Sequence, residues 1–199
     1  MKDVLKGIIL YLKAILLIPH LLCYLVSKNK RKIEADALRM TEKKEKSKIY
    51  NILYLLCFKP EFRNLFYYRL GKISILLRYI PRMNTLFINV TGGIGEGLVI
   101  QHGFSTIITA ESIGKNCWIN QQVTIGYNDS QTKGYGKPTI GNNVRISAGA
   151  KVVGPITIGD NSTIGVNAVI TKDVPPNTVI VPSPMRIIRQ NGSRVNIPF

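Results

Sequence analysis

Titratable catalytic side chains are scarce in this chain. Its 199 residues include two histidines and 11 acidic residues, against 27 lysines and arginines. The three cysteines, Cys23, Cys57 and Cys117, form no closely spaced pair. Metal centres and disulfide frameworks need clusters of such residues, so we expect no metal, no disulfide framework and a reducing, cytoplasmic compartment. Acid–base chemistry must therefore depend on very few side chains.

The positive charge is concentrated in the N-terminal part of the chain. Residues 1–82 contain 18 basic and 6 acidic residues, a net +12, whereas residues 83–199 contain 9 and 5. An anionic partner is therefore expected at the N-terminal region. Basic and aromatic residues alternate there, but no recognisable nucleic-acid-binding motif accompanies them, so we expect no nucleic acid.

Residues 4–26 are almost wholly apolar, and Lys28, Lys30, Arg31 and Lys32 follow directly. The segment is long enough to cross a bilayer, but Lys13 in its middle argues against a simple transmembrane helix, and no signal-peptide cleavage site is present. We expect an interfacial helix, or two short ones hinged at Pro19, on the anionic inner face of the cell membrane. A buried oligomerisation helix is the alternative.

Aliphatic residues recur at every sixth position through the second half of the chain. Runs of this kind contain Ile88, Ile94 and Ile100, then Ile107, Ile113, Ile119 and Ile125, then Ile140, Ile146, Val152, Ile158, Ile164 and Ile170. Neither a helix nor an alternating strand has this period, which is typical of a parallel β-helix. We therefore predict a mainly β protein with an N-terminal α-helical region. The predicted divisions are an apolar and basic segment at 1–33, helices at 34–87, the β-helix at 88–189 and a tail at 190–199.

Two breaks in the period are candidate functional positions. His102 lies in the first, where seven residues separate Ile100 from Ile107, so we expect a distorted corner that displays the imidazole. The second is the polar, glycine-rich stretch 126–138, which must leave the coil as an external loop. Loops on a rigid scaffold often carry binding groups, although a tolerated surface insertion is the alternative.

The motifs around these breaks resemble the left-handed β-helix, hexapeptide-repeat acyltransferases of the serine acetyltransferase type. The resemblance is carried by GIGEGLVIQHG at 93–103, INQQVTIG at 119–126, KPTIGNNVRISAGAKVVG at 137–154 and DVPPNTVIVPSPMRII at 173–188. It implies a homotrimer with three acetyl-CoA sites between subunits and no metal. It also implies that His102 is the general base that activates the acceptor hydroxyl.

The resemblance assigns further site residues. Gly126 and Tyr127 fall where the oxyanion donors of the family lie. Asn120 and Gln121 are candidates for the acceptor pocket. The coenzyme A positions are Ala148 and Val166 along the pantetheine arm and Lys151, Lys172 and Arg186 near the phosphates.

The chain departs from the family at three acceptor positions. Gln101 and Phe87 stand where the family has acidic residues, and Lys137 stands where it has a second histidine. Because the ammonium group of free serine requires a carboxylate, we expect serine to be a poor substrate. The leading prediction is acetyl-CoA-dependent O-acetylation of a sugar hydroxyl in a surface polysaccharide or its lipid-linked precursor.

Three alternatives accompany this prediction. Serine O-acetylation is the enzymatic one, and a β-helical structural or assembly module is the non-enzymatic one. A γ-type carbonic anhydrase has the same architecture, but its zinc site needs three histidines, and the β-helix contains only His102.

Overall fold

The computed structural model describes residues 2–41, 46–130, 134–182, 186–190 and 193–198. Four helices come first: α1 (Lys2–Leu25), α2 (Lys30–Met40), α3 (Lys48–Phe58) and α4 (Pro60–Leu70), followed by a 3₁₀ segment, η1 (Gly71–Leu77). Local signals explain the starts of two of them. The Ser47 hydroxyl caps α3 by accepting from the Tyr50 amide (3.2 Å), and Pro60 occupies the first turn of α4, where its missing N–H costs nothing.

The helices share a single apolar core. α1 contributes Leu17 and Tyr24 from one stripe, and α4 contributes Phe62 and Phe66. Spacing of three and four residues places these side chains on the inward faces of their helices. None of the helices in the described ranges is both long enough and apolar enough to span a membrane.

A parallel β-helix with three faces follows the helices. Face A contains β1 (Leu86–Val90), β3 (Thr106–Ala110), β6 (Thr124–Gly126), β11 (Lys151–Val153) and β14 (Val169–Ile170). Face B contains β4 (Ser112–Ile113), β9 (Thr139–Ile140) and β12 (Thr157–Ile158). Face C contains β2 (Val99–Ile100), β5 (Trp118–Ile119), β10 (Arg145–Ile146), β13 (Thr163–Ile164) and β15 (Val179–Ile180). The predicted fold class is confirmed.

Two hairpins complete the described structure. The external loop forms one hairpin from β7 (Asn128–Ser130) and β8 (Gly134–Gly136), as expected for an insertion that leaves the coil. The second hairpin pairs β16 (Arg186–Gln190) with β17 (Ser193–Pro198) after the last coil.

The register of the coils shows how the hexapeptide period fills the interior. On face C, Ile100, Ile119, Ile146 and Ile164 lie in successive coils, and all are buried. Each such side chain contributes about 1.5–3 kcal/mol when it leaves water. On face A the prediction was wrong by one residue: Ile108 is fully buried, whereas Ile107 points outward. The insertion before β3 is therefore two residues long, and the next aliphatic residue of the series, Ile113, follows Ile108 after five residues instead of six.

Glycines follow many of the interior aliphatic residues because coils stack closely there. A Cβ on Gly114 would lie 2.5 Å from the Gly141 carbonyl oxygen, and one on Gly159 would lie 2.4 Å from the Pro176 nitrogen. The left-handed corner conformation belongs to other residues, including Asn143 (φ 55°) and Asn161 (φ 59°). These glycines therefore do not supply the positive φ of the corners; they leave room for the backbone of the neighbouring coil.

A buried ion pair fastens the helices to the first coil. The Arg69 guanidinium donates to both carboxylate oxygens of Asp36 (2.9 and 3.2 Å) and to the Ile94 and Gly95 carbonyls. Asp36 also accepts from the amides of Gly97 and Leu98. Because every polar group in this contact is satisfied, the ends of α2 and α4 are held against the first coil, beside His102.

Candidate active site

His102 lies at the corner between face C and face A, here called the C–A edge (residues 101–105, 120–123, 147–150 and 165–168). Its φ of 64° is left-handed, and Gly103 (φ 33°) and Ser105 (φ 51°) also have positive φ. Other corners have single left-handed residues, such as Gln122 and Asn143, whereas this corner has three within four residues. The two-residue insertion provides this bulged corner, and the His102 side chain is exposed on it, as predicted.

A cavity of about 220 Å³ opens beside His102. The C–A edge and its strands supply one wall, and the ends of α2 and α4 supply the other. Its described lining residues are Arg39, Met40, Thr41, Lys59, Glu61, Val99, Ile100, Gln101, His102 and Trp118. The imidazole therefore faces a small, mixed polar and apolar space enclosed by two parts of the chain.

Glu61 is the one acidic residue among these described lining residues. It is only 7% exposed, and Arg63 is a charged neighbour of its carboxylate, although no hydrogen bond or ion pair to that carboxylate is formed within the described ranges. Its Cβ lies 3.1 Å from the position that a Cβ on Gly103 would occupy, which places it against the catalytic corner. A carboxylate on the wall of this small cavity can form a charge-assisted hydrogen bond to a ligand that carries a positive group.

Two basic residues line the same cavity. Lys59 has no acidic partner in the described part of the chain, whereas Arg39 donates to the carbonyls of Gly97 and Cys117. The cavity thus combines one carboxylate with two cations within a small volume. No sequence pattern identified Glu61, Arg39 or Lys59, because their approach to His102 depends on how the helices dock.

The predicted acceptor residues Gln101 and Asn120 meet at the C–A edge. The Gln101 side-chain oxygen accepts from Trp118 Nε1 (3.1 Å) and from Asn120 Nδ2 (3.4 Å). The side-chain oxygens of Asn120 and Gln121 are buried without a hydrogen-bond partner. Unsatisfied acceptors are uncommon in folded proteins, and they mark this edge as more than a structural corner.

The other predicted site residues do not join His102 within one chain. Gly126, the last residue of β6, and Tyr127 lie at the corner between faces A and B, here called the A–B edge (residues 91–93, 111, 126–130, 134–138, 154–156 and 171–173). The Tyr127 ring stacks on Tyr135 with centroids 5.2 Å apart. Lys137 donates to the Thr91 hydroxyl (2.6 Å) on this same edge. Phe87 is exposed on face A and lines a separate cavity of about 470 Å³.

The predicted coenzyme A residues are also divided between edges. Ala148 and Val166 lie on the C–A edge two and three coils beyond His102, and Lys151 begins β11 next to it, donating to the Gln122 carbonyl (2.7 Å). Lys172 lies on the A–B edge. Arg186 begins β16, and its side chain lies outside the described part of the structure.

The remaining polar candidates are structural. Cys117 is buried in the β-helix core, where burial raises the pKa of its thiol to about 11, so this thiol packs in the core and does not act as a nucleophile. Among the described residues, no group of three histidine, cysteine or acidic side chains is arranged to hold a metal ion.

Comparison with known proteins identifies the family that the chain resembles. Residues 137–172 match the family model described as bacterial transferase hexapeptide (six repeats). Serine acetyltransferases from Synechococcus elongatus and Bacillus pumilus are 40% and 38% identical over 134 and 131 residues, which cover 66% and 63% of this chain and 54% and 59% of those proteins. The chain therefore spans little more than half the length of these curated relatives.

Solved structures agree. The Neisseria gonorrhoeae serine acetyltransferase in complex with serine has a TM-score of 0.53 and 26% identity, over 78% of this chain and 67% of its own. Serine acetyltransferase 1 from Entamoeba histolytica, in complex with L-cysteine, has a TM-score of 0.56 and 26% identity, over 76% of this chain and 62% of its own. The predicted resemblance to serine acetyltransferase-like hexapeptide acyltransferases is confirmed.

These comparisons contradict the expectation that the acceptor is a sugar hydroxyl of a surface polysaccharide. The matched relatives and structures are named serine acetyltransferases, which was the alternative reading. The acceptor prediction was wrong because it judged the charges of the pocket from Phe87, Gln101 and Lys137 alone. That inference left out residues contributed by the helices.

Proposed function

We propose that the protein is an acetyl-CoA-dependent serine O-acetyltransferase. The observation that carries this proposal is the Glu61 carboxylate, which lines the cavity beside His102 and makes no hydrogen bond within the described ranges. Serine is a zwitterion with a hydroxyl, so its recognition requires an anion, a cation and a base close together. Glu61, the basic pair Lys59 and Arg39, and His102 supply these three functions.

The size of the cavity also favours a small acceptor. Pockets for drug-sized ligands occupy roughly 300–1,000 Å³, and the space beside His102 is about 220 Å³. The serine ammonium is assigned to Glu61 and the serine carboxylate to Lys59 and Arg39. A site with buried charges of this kind rejects molecules that leave those charges unpaired, so neutral alcohols should be poor acceptors.

The chemistry requires one proton transfer and one stabilised oxyanion. The neutral His102 imidazole removes the proton of the serine hydroxyl as its oxygen attacks the thioester carbonyl carbon. Backbone N–H groups at Gly126 and Tyr127 stabilise the resulting oxyanion. The intermediate then expels the coenzyme A thiolate, which takes the proton from the imidazolium, leaving O-acetylserine.

A homotrimer completes this site. His102 and the oxyanion residues occupy different edges of one prism, and a threefold arrangement places the C–A edge of one subunit against the A–B edge of the next. We propose that acetyl-CoA lies in that cleft, with Ala148, Lys151 and Val166 on one side and Lys172 on the other. The proposed location is the cytoplasm, at the inner face of the cell membrane, because the cysteines are unpaired and the N-terminal region is basic and apolar.

Steady-state kinetics of the purified full chain tests the acceptor. We expect saturable, serine-dependent release of coenzyme A thiol, with a Michaelis constant for serine on the order of 1 mM or below. Glu61→Gln should raise that constant about 10- to 100-fold, the equivalent of one charge-assisted hydrogen bond, and leave the constant for acetyl-CoA unchanged. Glu34→Gln is the matched control, because Glu34 pairs with Lys48 away from the cavity.

Two results would contradict the proposal. One is the absence of serine-dependent thiol release while acetyl-CoA still binds. The other is a Glu61→Gln enzyme with an unchanged Michaelis constant for serine, which would remove the carboxylate from acceptor recognition.

A further inference from the structure

α1 has two apolar stripes, and only one of them is buried. Leu17, His20 and Tyr24 face the helical core, whereas Ile15, Ile18, Leu22 and Val26 lie on the opposite side. Val26 is 78% exposed and Ile15 is 74% exposed. An apolar helix surface of this size facing solvent marks an interaction site.

The 3₁₀ segment η1 extends this surface. Ile73, Ile75 and Leu76 are exposed there, Leu76 by 75%. The two elements are neighbours: Leu77 of η1 is buried in the same core as Leu17 of α1, and Tyr79, two residues after η1, donates its hydroxyl to the Leu16 carbonyl (2.6 Å). We call the combined surface the aliphatic face; it comprises Ile15, Ile18, Leu22, Leu25, Val26, Ile73, Ile75 and Leu76.

Cations bracket both parts of the aliphatic face. On α1 the apolar run lies between Lys13 and Lys28, and on η1 it lies between Lys72 and Arg78. All four side chains are exposed and have no acidic partner within the described ranges. An apolar surface flanked by cations complements the acyl chains and headgroups of an anionic bilayer.

The acidic side chains that the structure describes do not neutralise the cations near the aliphatic face. Between residues 13 and 82, the acidic side chains that the structure describes are Glu34, Asp36 and Glu61. Glu34 pairs with Lys48, Asp36 is buried with Arg69, and Glu61 lies in the cavity beside His102. Among the described side chains, the unpaired charges near the aliphatic face are therefore positive, which favours anionic lipid over a second, equally basic copy of the chain.

We propose that the aliphatic face docks this protein onto the surface of an anionic lipid bilayer, with α1 lying in the interface and η1 inserting beside it. α1 binds peripherally, because its inner stripe remains in the helical core. The sequence analysis placed this contact in residues 4–26 alone, whereas the structure adds η1, which is distant in sequence. Membrane docking does not depend on the identity of the acceptor.

Vesicle flotation of the purified full chain tests the proposal. The probes are vesicles of phosphatidylcholine with about one third phosphatidylglycerol, and vesicles of phosphatidylcholine alone. We expect binding to the anionic vesicles that weakens as salt rises, and at least tenfold weaker binding to the neutral ones. Leu22→Asp combined with Leu76→Asp should abolish flotation, because both carboxylates would face the acyl chains.

Matched variants separate this result from misfolding. Val179→Asp places one such carboxylate on an exposed valine of face C, away from the aliphatic face, and should float like the wild type; each single variant, Leu22→Asp and Leu76→Asp, is compared with it. Lys28→Glu combined with Lys72→Glu should lose the anionic preference while the aliphatic side chains remain. Thermal unfolding and serine-dependent turnover should be unchanged in both double variants, because none of these residues lies at the catalytic cavity.

Three outcomes would overturn the proposal. The first is a wild-type chain that floats with neither vesicle. The second is a Leu22→Asp, Leu76→Asp variant that floats like the wild type. The third is a variant whose sedimentation mass falls below that of the wild type in the absence of lipid, which would show that the aliphatic face is covered by a second copy of the chain.

Discussion

The two histidines of this chain have opposite surroundings, and their roles follow from them. His102 is exposed on a left-handed corner beside a cavity. His20 is fully buried, with its Nε2 3.0 Å from the Tyr67 hydroxyl, which donates onward to backbone carbonyls. Burial lowers the pKa of His20 to about 4, so this imidazole stays neutral and serves the core.

The first prediction at this scale concerns His102. Asparagine already occupies left-handed corners at Asn143 and Asn161, so His102→Asn preserves the local backbone while it removes the base. We expect acetyl-CoA binding to be unchanged and turnover to fall about 100-fold or more. Stopped-assay kinetics and calorimetric acetyl-CoA titration measure these two quantities. Turnover within a factor of a few of wild type would exclude His102 as the base.

A second prediction follows from His20. In the unfolded chain the pKa of His20 returns to 6.5. As the pH falls from about 6.5 to 4, the unfolded state therefore binds a proton on this imidazole, whereas the native state does not. The free energy of unfolding should decrease across this window by about 3 kcal/mol, at roughly 1.36 kcal/mol per pH unit. Urea unfolding of wild type and His20→Gln between pH 7 and 4.5 tests this, with a flatter slope expected for the variant.

The control for this titration is His102→Asn, which also removes one histidine but keeps the buried imidazole of His20, so its slope should be steeper than that of His20→Gln. If His20→Gln and wild type have the same slope, the neutral buried imidazole is not the source of the acid sensitivity.

At the scale of the elements, close stacking of the coils makes particular glycines indispensable. A Cβ on Gly114 would lie within 2.5–2.7 Å of backbone atoms of Gly141 and Asn142, which cannot move without shifting a coil. We expect Gly114→Ala to lower the free energy of unfolding by about 1–3 kcal/mol through overpacking. Gly126→Ala is the control, since its nearest neighbour atom would be 3.9 Å away. Equal midpoints in thermal unfolding would contradict the stacking argument.

The elements also show what the sequence could and could not predict. The six-residue period predicted three faces and an aliphatic interior because the position of a residue within its hexapeptide decides whether its side chain points into the coil. The placement of Ile107 was wrong because the adjacent Ile108 is equally apolar, and the period alone cannot choose between them across an insertion. Glu61 was missed because its contact with the corner at Gly103 joins elements 42 residues apart, and no local pattern encodes how α4 docks.

At the scale of the whole molecule, the residues proposed for the active site are divided between two edges of the β-helix. His102 and the pocket residues lie on the C–A edge, whereas Gly126 and Tyr127 lie on the A–B edge with the external hairpin. A single prism cannot bring these groups to one acetyl group. The homotrimer proposed above, with heterologous contacts, would provide three sites, each with a C–A edge from one subunit and an A–B edge from the next.

This arrangement predicts complementation between two inactive variants. His102→Asn removes the base from the C–A edge, and Tyr127→Pro removes a backbone N–H donor from the A–B edge, so each homotrimer should have at most about 1% of wild-type turnover. Tyr127→Ala is the matched control, because it also loses the stacking on Tyr135 but keeps its N–H, and it should remain active.

When the two inactive variants are unfolded together and refolded at equal amounts, subunits should assort at random. A site is intact only where a Tyr127→Pro subunit supplies the histidine edge and a His102→Asn subunit supplies the oxyanion edge, which random assortment gives for about one site in four. We therefore expect about a quarter of wild-type turnover from the mixture, measured as serine-dependent thiol release. Mixing the two proteins without unfolding should restore no turnover, because we expect no exchange of subunits between intact trimers. If the refolded mixture is as inactive as its components, His102 and Tyr127 belong to the same subunit's site or to no common site.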